Sequence, residues 1–365
     1  MRPVRITSIR LTPGLLLIAC IASLAACGGG GGGATTPPPL ATATPTASPT
    51  PLATLTPPTG PVALVPAGDA ATSLAEGADG NVWFTAASTN GAADAQAGRY
   101  TIASGVVDHF ALPNADANPN LATVGGDGGV WFFEQARLRF ARIGTNGALQ
   151  EFATTFQVSA MTKGPDGNVW FLTTQSPPQI GKITPAGTIT TYVVPNDGLE
   201  PRTLTAAAGR LWMYAMSVSA NGALASIATD GTGYTTTAIS GLTRGSVGAA
   251  MYLEKDGNFY LGIPTATGFG VHQVTPSGAA TDACTTNSRN GFVVTTQLDD
   301  GTIIFGLFAN SFGVPTVFAI LPAGTCRSDP FPLNDPIDQV RLFSGGGDGS
   351  LYGYSLDRNL KKYTY

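Results

Sequence analysis

The sequence predicts an all-β protein, a seven-bladed β-propeller whose N-terminal strand completes the last blade. Three observations predict it. The first is a repeat: Gly164-Pro165-Asp166-Gly167-Asn168-Val169-Trp170-Phe171 recurs, with wear, around Gly80, Gly128, Gly209, Gly257, Gly301 and Gly349. These glycines stand 48, 39, 42, 48, 44 and 48 residues apart, the period of a four-stranded blade. All four tryptophans, Trp83, Trp131, Trp170 and Trp212, fall three residues after such a glycine. The second observation is that the positions two and three after the glycine are both apolar in every copy, as in Val130-Trp131 and Val169-Trp170. Adjacent strand residues point to opposite faces, so both faces of each sheet must be covered, as neighbouring blades cover them. The third is at the ends. The last unit stops after a third strand, and Pro61 to Pro66 has the pattern of a spare outer strand.

Composition agrees. Only 12% of the 365 residues are charged, 47 are glycine and the net charge is -4. This favours a β body with many turns and supplies no basic field for nucleic acid.

Taken in order, the chain opens with Arg2, Arg5 and Arg10 before an apolar run, Gly14 to Ala26, too short to span a bilayer. Residues 1–26 therefore read as an export signal. The ending Leu24-Ala25-Ala26-Cys27-Gly28 resembles the lipobox of bacterial lipoproteins, which implies lipid attachment at Cys27 and, with no aspartate after the cysteine, an outer-membrane lipoprotein facing the periplasm or the surface. Residues 27–60 carry six consecutive glycines and then Pro, Thr and Ala without a period, and read as a semi-extended tether. Residues 61–365 form the propeller.

Within one unit, the third, the expected strands are Ser159 to Lys163, Asn168 to Thr173, Gln179 to Thr184 and Thr188 to Val194. Asp166-Gly167 reads as a tight hairpin turn and Pro185-Ala186-Gly187 as another, and both call for glycine because two-residue hairpin loops that match the twist of the strands demand positive φ. The second turn recurs at Gly105, Gly147, Gly231, Gly278 and Gly324. Cys284 and Cys326, the cysteines of the propeller, fall near the outer strands of adjacent units, and in an exported chain predict a disulfide.

The third unit, together with Ile180-Gly181-Lys182-Ile183-Thr184-Pro185-Ala186-Gly187-Thr188-Ile189-Thr190, resembles the virginiamycin B lyase family of streptogramin-opening enzymes. The resemblance implies a seven-bladed propeller and a magnesium-dependent elimination that opens a cyclic peptide ester, using histidines and glutamates at the channel mouth. The chain has only two histidines, His109 and His272, and both fall in outer or third strands, where they read as peripheral. Glu134, after Trp131-Phe132-Phe133, matches a glutamate common in the family's repeats; it reads as a solvated loop residue, with a channel-mouth carboxylate as the alternative. Each Asp-Gly turn offers one carboxylate, too few for calcium, and phosphate-loop, zinc and Gly-x-Ser-x-Gly patterns do not occur.

Two functions stand at this point. One is a tethered module binding an unidentified ligand or protein through Glu134, Arg137, Glu200, Arg202 and Arg244, with Asp197 beside them, and with no cofactor and no catalytic residue assigned. The other is a lyase of the streptogramin type that uses magnesium. Neither involves nucleic acid, and the membrane is met through the lipid alone.

Overall fold

The computed structural model of the chain describes residues 61–363 other than 66–68, 89–94, 196–197, 218–221, 241–249, 265–268, 287–290, 310–315, 323, 329–339 and 356. The signal and tether readings, Cys27, Asp197 and Arg244 lie outside the described residues.

The fold is an all-β propeller. Its strands form seven antiparallel sheets, each running outward from an innermost strand, and the fourth has its innermost strand in two pieces, Leu199–Pro201 and Thr205–Ala207. Each innermost strand touches the next, and that of the seventh sheet touches that of the first, so the ring is closed around an axis. The third sheet illustrates the pattern: Val158–Lys163, Val169–Thr173, Gln179–Ile183 and Ile189–Val193, paired in that order.

The seventh sheet is completed from the other end of the chain. Val62 pairs with Leu360 and Ala63 with Asn359, beside Leu351–Ser355 and Val340–Gly345. Leu64 and Val65 are then buried with Tyr352, Tyr354 and Leu360, which fixes the strand by its side chains as well as its backbone.

The double-sided burial read from the repeat is what packs the ring. In the second strand of the second sheet, Val130–Glu134, every residue is buried. Val130 and Phe132 lie with Trp83, Ala97 and Leu112 of the first sheet, while Trp131 and Phe133 lie with Val169 and Phe171 of the third. Size is balanced across the next strand pairing. Phe171 faces Gly181, where a Cβ would come within 2.4 Å of the ring, whereas the equivalent pair in the fifth sheet is Leu261 with His272.

The turns differ from expectation in one respect. At Asp166-Gly167 the Gly167 N–H bonds the Gly164 carbonyl at 3.1 Å, and the Gly164 N–H bonds the Asn168 carbonyl at 2.8 Å, with Gly167 at φ 80°. That is a three-residue loop with a left-handed glycine, not a two-residue loop. The additional residue lets Asp166 Oδ1 accept the Asn168 N–H at 3.2 Å. The fourth unit, where alanine replaces the aspartate, does make the two-residue loop: Ala208 and Gly209 both have positive φ and Ala207 pairs with Arg210.

A disulfide joins Cys284 in Ala280–Thr286 to Cys326 in Thr325–Ser328, the outer strands of the fifth and sixth sheets, across a Cα separation of 6.0 Å.

Candidate functional site: the central channel

The seven innermost strands enclose a cavity of about 590 Å³ on the axis. One of its mouths, the turn face, lies where the innermost strands end at the Asp-Gly turns. The other, the loop face, lies where they begin, beside the ends of the second strands. Threonine and serine hydroxyls alternate along the wall with Met161, Met251, Tyr252 and Phe343. The charged residues lining it, among those described, are Glu76, Lys163 and Arg202.

Glu76 ends the first innermost strand at the turn face. Burial, reinforced by the negative charges of Asp299 and Asp348, pushes its carboxyl up to about 7. A glycine in the neighbouring strand makes room for it: a Cβ on Gly345 would lie 2.5 Å from Glu76 Oε2. Sequence reasoning missed Glu76. Aligning the repeats four residues before each turn glycine would have found it, because that column carries Glu76, Lys163 and Gln297 among apolar and small residues.

Arg202 stands at the loop face, in the break between the two pieces of the fourth innermost strand, and bonds Glu200 at 2.5 Å. That break is the widest of several irregularities: the first, second, third and seventh innermost strands also shift register against their partners. Such shifts re-aim side chains at barrel and propeller rims.

The predicted binding residues that are described, Glu134, Arg137, Glu200 and Arg202, do not form one cluster. Arg137 pairs with Asp116 on the loop face between the first two sheets. Glu200 and Arg202 pair with each other at the fourth sheet. Glu134 corrects the sequence reading outright: it is the last residue of the strand Val130–Glu134, is 0% exposed, and is neither a solvated loop residue nor part of the channel lining. It follows Phe132 on the strand face turned to the first sheet, and neither carboxyl oxygen receives an N–H or O–H from another residue.

Both histidines are held as framework. His272 is 6% exposed and its Nδ1 lies 2.8 Å from Asp282 Oδ1; burial lowers its pKa, with Asp282 opposing. His109 Nδ1 bonds Gln96 Oε1 at 2.9 Å, and its ring meets Phe84 edge-on. Among the described residues no three His, Cys, Asp or Glu side chains converge as a metal site. Among the described residues neither histidine lines the channel, and Glu76 is the one carboxylate of the described lining.

Comparison with known proteins agrees with the architecture. A family model described as the Virginiamycin B lyase family matches residues 59–306. Virginiamycin B lyase of Nocardia farcinica (strain IFM 10152) is 32% identical over 171 residues, which is 47% of this chain and 56% of that protein. The chain thus spans a little over half the length of that curated relative. A crystal structure of catalytically inactive virginiamycin B lyase from Staphylococcus aureus with quinupristin is similar at 21% identity, covering 84% of this chain and 98% of that one, with a TM-score of 0.64. A streptogramin B lyase structure is similar at 19% identity, covering 83% and 97%, with a TM-score of 0.62.

Proposed function

We propose, for a chain that belongs to the virginiamycin B lyase family, that it is a seven-bladed propeller that binds a ligand at the loop-face mouth of its channel and does not break a bond in it. The observation that carries this reading is the placement of the two histidines. The elimination that the family resemblance implies takes a proton from beside a carbonyl, which needs a base within hydrogen-bond reach of the substrate. Here the His272 imidazole is committed to Asp282 in the fifth sheet, the His109 imidazole, on an outer strand, is committed to Gln96, and neither lines the channel. The loop-face mouth, by contrast, presents Arg202, hydroxyls and the side chains of Leu121 and Leu204, a mixture suited to a peptide-like ligand with polar and apolar groups. A missing general base typically forfeits about 10² to 10⁴ in rate.

Residues 1–26 and 27–60 complete the proposal as export signal and tether, with a lipid on Cys27 holding the propeller at the outer membrane. Cys27→Ala is expected to release the protein from the membrane fraction; a variant that stays there, with no fatty-acid labelling of the wild type, refutes the anchor.

The fold shared with a quinupristin-bound enzyme favours the lyase as the second reading. One assay separates the two. With quinupristin and magnesium, binding followed by calorimetry and ring opening followed by mass should show no opening, and any binding should weaken in Arg202→Ala. Sustained ring opening would establish the lyase.

A further inference from the structure

The corner between the first and second sheets on the loop face holds a pair of carboxyl groups that stand apart from the channel lining. Glu134 is wholly buried and receives no N–H or O–H from another residue on either oxygen, nor does Glu151 Oε1, and the two carboxyls lie within hydrogen-bonding reach of each other. Glu151 comes from the outer strand Leu149–Ala153, opposite Ala141, on the same sheet face as Glu134. Its other oxygen accepts from Arg139 at 2.8 Å. Two ionised carboxylates cannot share so dry a place without repulsion, and an ionised carboxylate with no donor is costly to bury.

The segment after Glu134 is strained and tied down. Asn118 holds left-handed backbone at φ 51°, which asparagine tolerates, and Leu138 at φ 53°, which a leucine keeps only where the surroundings enforce it. The enforcing bonds are Gln135 N–H to the Asn118 carbonyl at 3.2 Å, Ala136 N–H to the Ala117 carbonyl at 3.1 Å and Arg137 N–H to the Glu134 carbonyl at 3.1 Å. The Gln157 side chain adds a bond to the Gln135 carbonyl at 2.8 Å from the third sheet.

We propose that Glu134 and Glu151 form a protonation latch on this corner. A proton on Glu134, donated toward Glu151, keeps the turn 135–138 docked on Ala117 and Asn118; when solvent removes that proton, the buried negative pair pushes the turn off. The charged groups facing Glu134 come from three elements. Glu151 belongs to the outer strand, Arg139 to the third strand, and Arg137, itself held by Asp116, to the turn. Towards the first sheet, Phe132 on the same strand face belongs to an apolar cluster with Ala95, Ala97, Leu112 and Ala117.

Burial first, then the charge of Glu151, raises the Glu134 carboxyl from 4.5 to about 8, while Arg139 and Arg137 pull the other way. A carboxyl raised in the closed corner binds a proton that the open corner releases. Closure is therefore complete below the ordinary carboxyl range and is lost as pH rises through about 8. The dependence is at most about tenfold in the opening equilibrium per pH unit.

Hydrogen exchange of the full-length protein tests this, with rates corrected for the intrinsic effect of pH. Between about pH 6 and about pH 9 the amides of 135–137 should lose at least about tenfold protection relative to those of Val169–Thr173, and Glu134→Gln should abolish the difference. Equal protection at both pH values, or the same loss in Glu134→Gln, overturns the latch. Should Glu134→Gln fail to fold, Glu151→Gln keeps an acceptor for Arg139 and removes the repelling charge. It should move the transition to lower pH, and an unmoved midpoint overturns the proposal equally.

Discussion

Trp170 donates its indole N–H to Asp166 Oδ1 at 2.9 Å, across the turn that separates the first two strands of its sheet. The same bond recurs from Trp83 to Asp79 at 3.0 Å and from Trp131 to Asp127 at 3.3 Å, and from the tyrosine hydroxyls of Tyr260 to Asp256 at 2.9 Å and Tyr352 to Asp348 at 3.0 Å. A cation from the third strand often joins it: Lys182 reaches Asp166 at 3.3 Å and Lys362 reaches Asp348 at 2.6 Å, while Arg142 binds Asp127. Burial alone would raise the Asp166 carboxyl; the bonds from Trp170, Asn168 and Lys182 outweigh it and hold the group below the usual range. In these five turns the aspartate is thus a knot between strands as well as a turn former.

Asp166→Ala should therefore cost more than a surface change. It orphans the buried indole N–H of Trp170 and removes the ion pair with Lys182, which keeps its bond to the Thr229 carbonyl, an expected loss of about 1 to 3 kcal/mol in urea unfolding. Glu200→Ala, which removes an exposed ion-pair partner, is expected to stay within about 0.5 kcal/mol. Equal losses for the two would show that the turn bonds contribute little.

Glu76 makes the stability of the ring depend on pH. Its carboxyl is raised in the folded state from 4.5 to about 7, so the folded state binds the proton more tightly, and the associated stability is complete below the ordinary carboxyl range and lost as pH rises through about 7. The fall in unfolding free energy across that window should be shallower in Glu76→Gln than in the wild type. Parallel curves would show that Glu76 is already ionised in the fold.

Closure by the N-terminal strand yields a comparison of two truncations. Removing residues 28–58 leaves Val62 to Val65 in place and should leave the melting temperature nearly unchanged. Removing residues 28–66 takes away the pairing with Leu360 and Asn359 and the buried Leu64 and Val65, each worth about 1.5 to 3 kcal/mol. A marked drop in melting temperature is expected for the second deletion alone.

The disulfide clasps the outer strands of two neighbouring sheets. Mass spectrometry of unreduced, exported protein should find Cys284 linked to Cys326. Cys284→Ser together with Cys326→Ser should cost about 2 to 4 kcal/mol. Two free thiols in the unreduced sample would refute the bridge.

Much of the architecture was legible because it is repeated. Strands expected at Gln179 to Thr184 and Thr188 to Val194 are found at Gln179–Ile183 and Ile189–Val193, since glycine turns and two-sided apolar runs mark their limits locally. The partner of Cys284 was legible for a similar reason, as the repeat places both cysteines at the rim. Glu134 was not legible. A charge at the end of Trp131-Phe132-Phe133 ordinarily marks the exit of a strand into water, and only the neighbouring sheet buries it. The bond between Trp170 and Asp166 was hidden differently: each residue had a sufficient local explanation, apolar filler and turn former. The predicted binding residues share the difficulty of any site made between repeats, where position around the ring, not position in the unit, decides what meets what.

The strand Val62–Ala63 meets Leu360 and Asn359 through two residue pairs, where other outer strands, such as Ile189–Val193, pair through five. It is also the first strand pairing that follows residues 1–60 along the chain. Any tension carried along the chain from residues before Pro61 arrives first at this pairing, ahead of every other strand. The clasp of the ring is consequently its mechanical fuse: sustained pulling from the N-terminal side strips Val62 and Ala63 from the seventh sheet before it loads the aromatic layers, whereas the same force applied through a surface loop of the third sheet meets full-length strands on both sides.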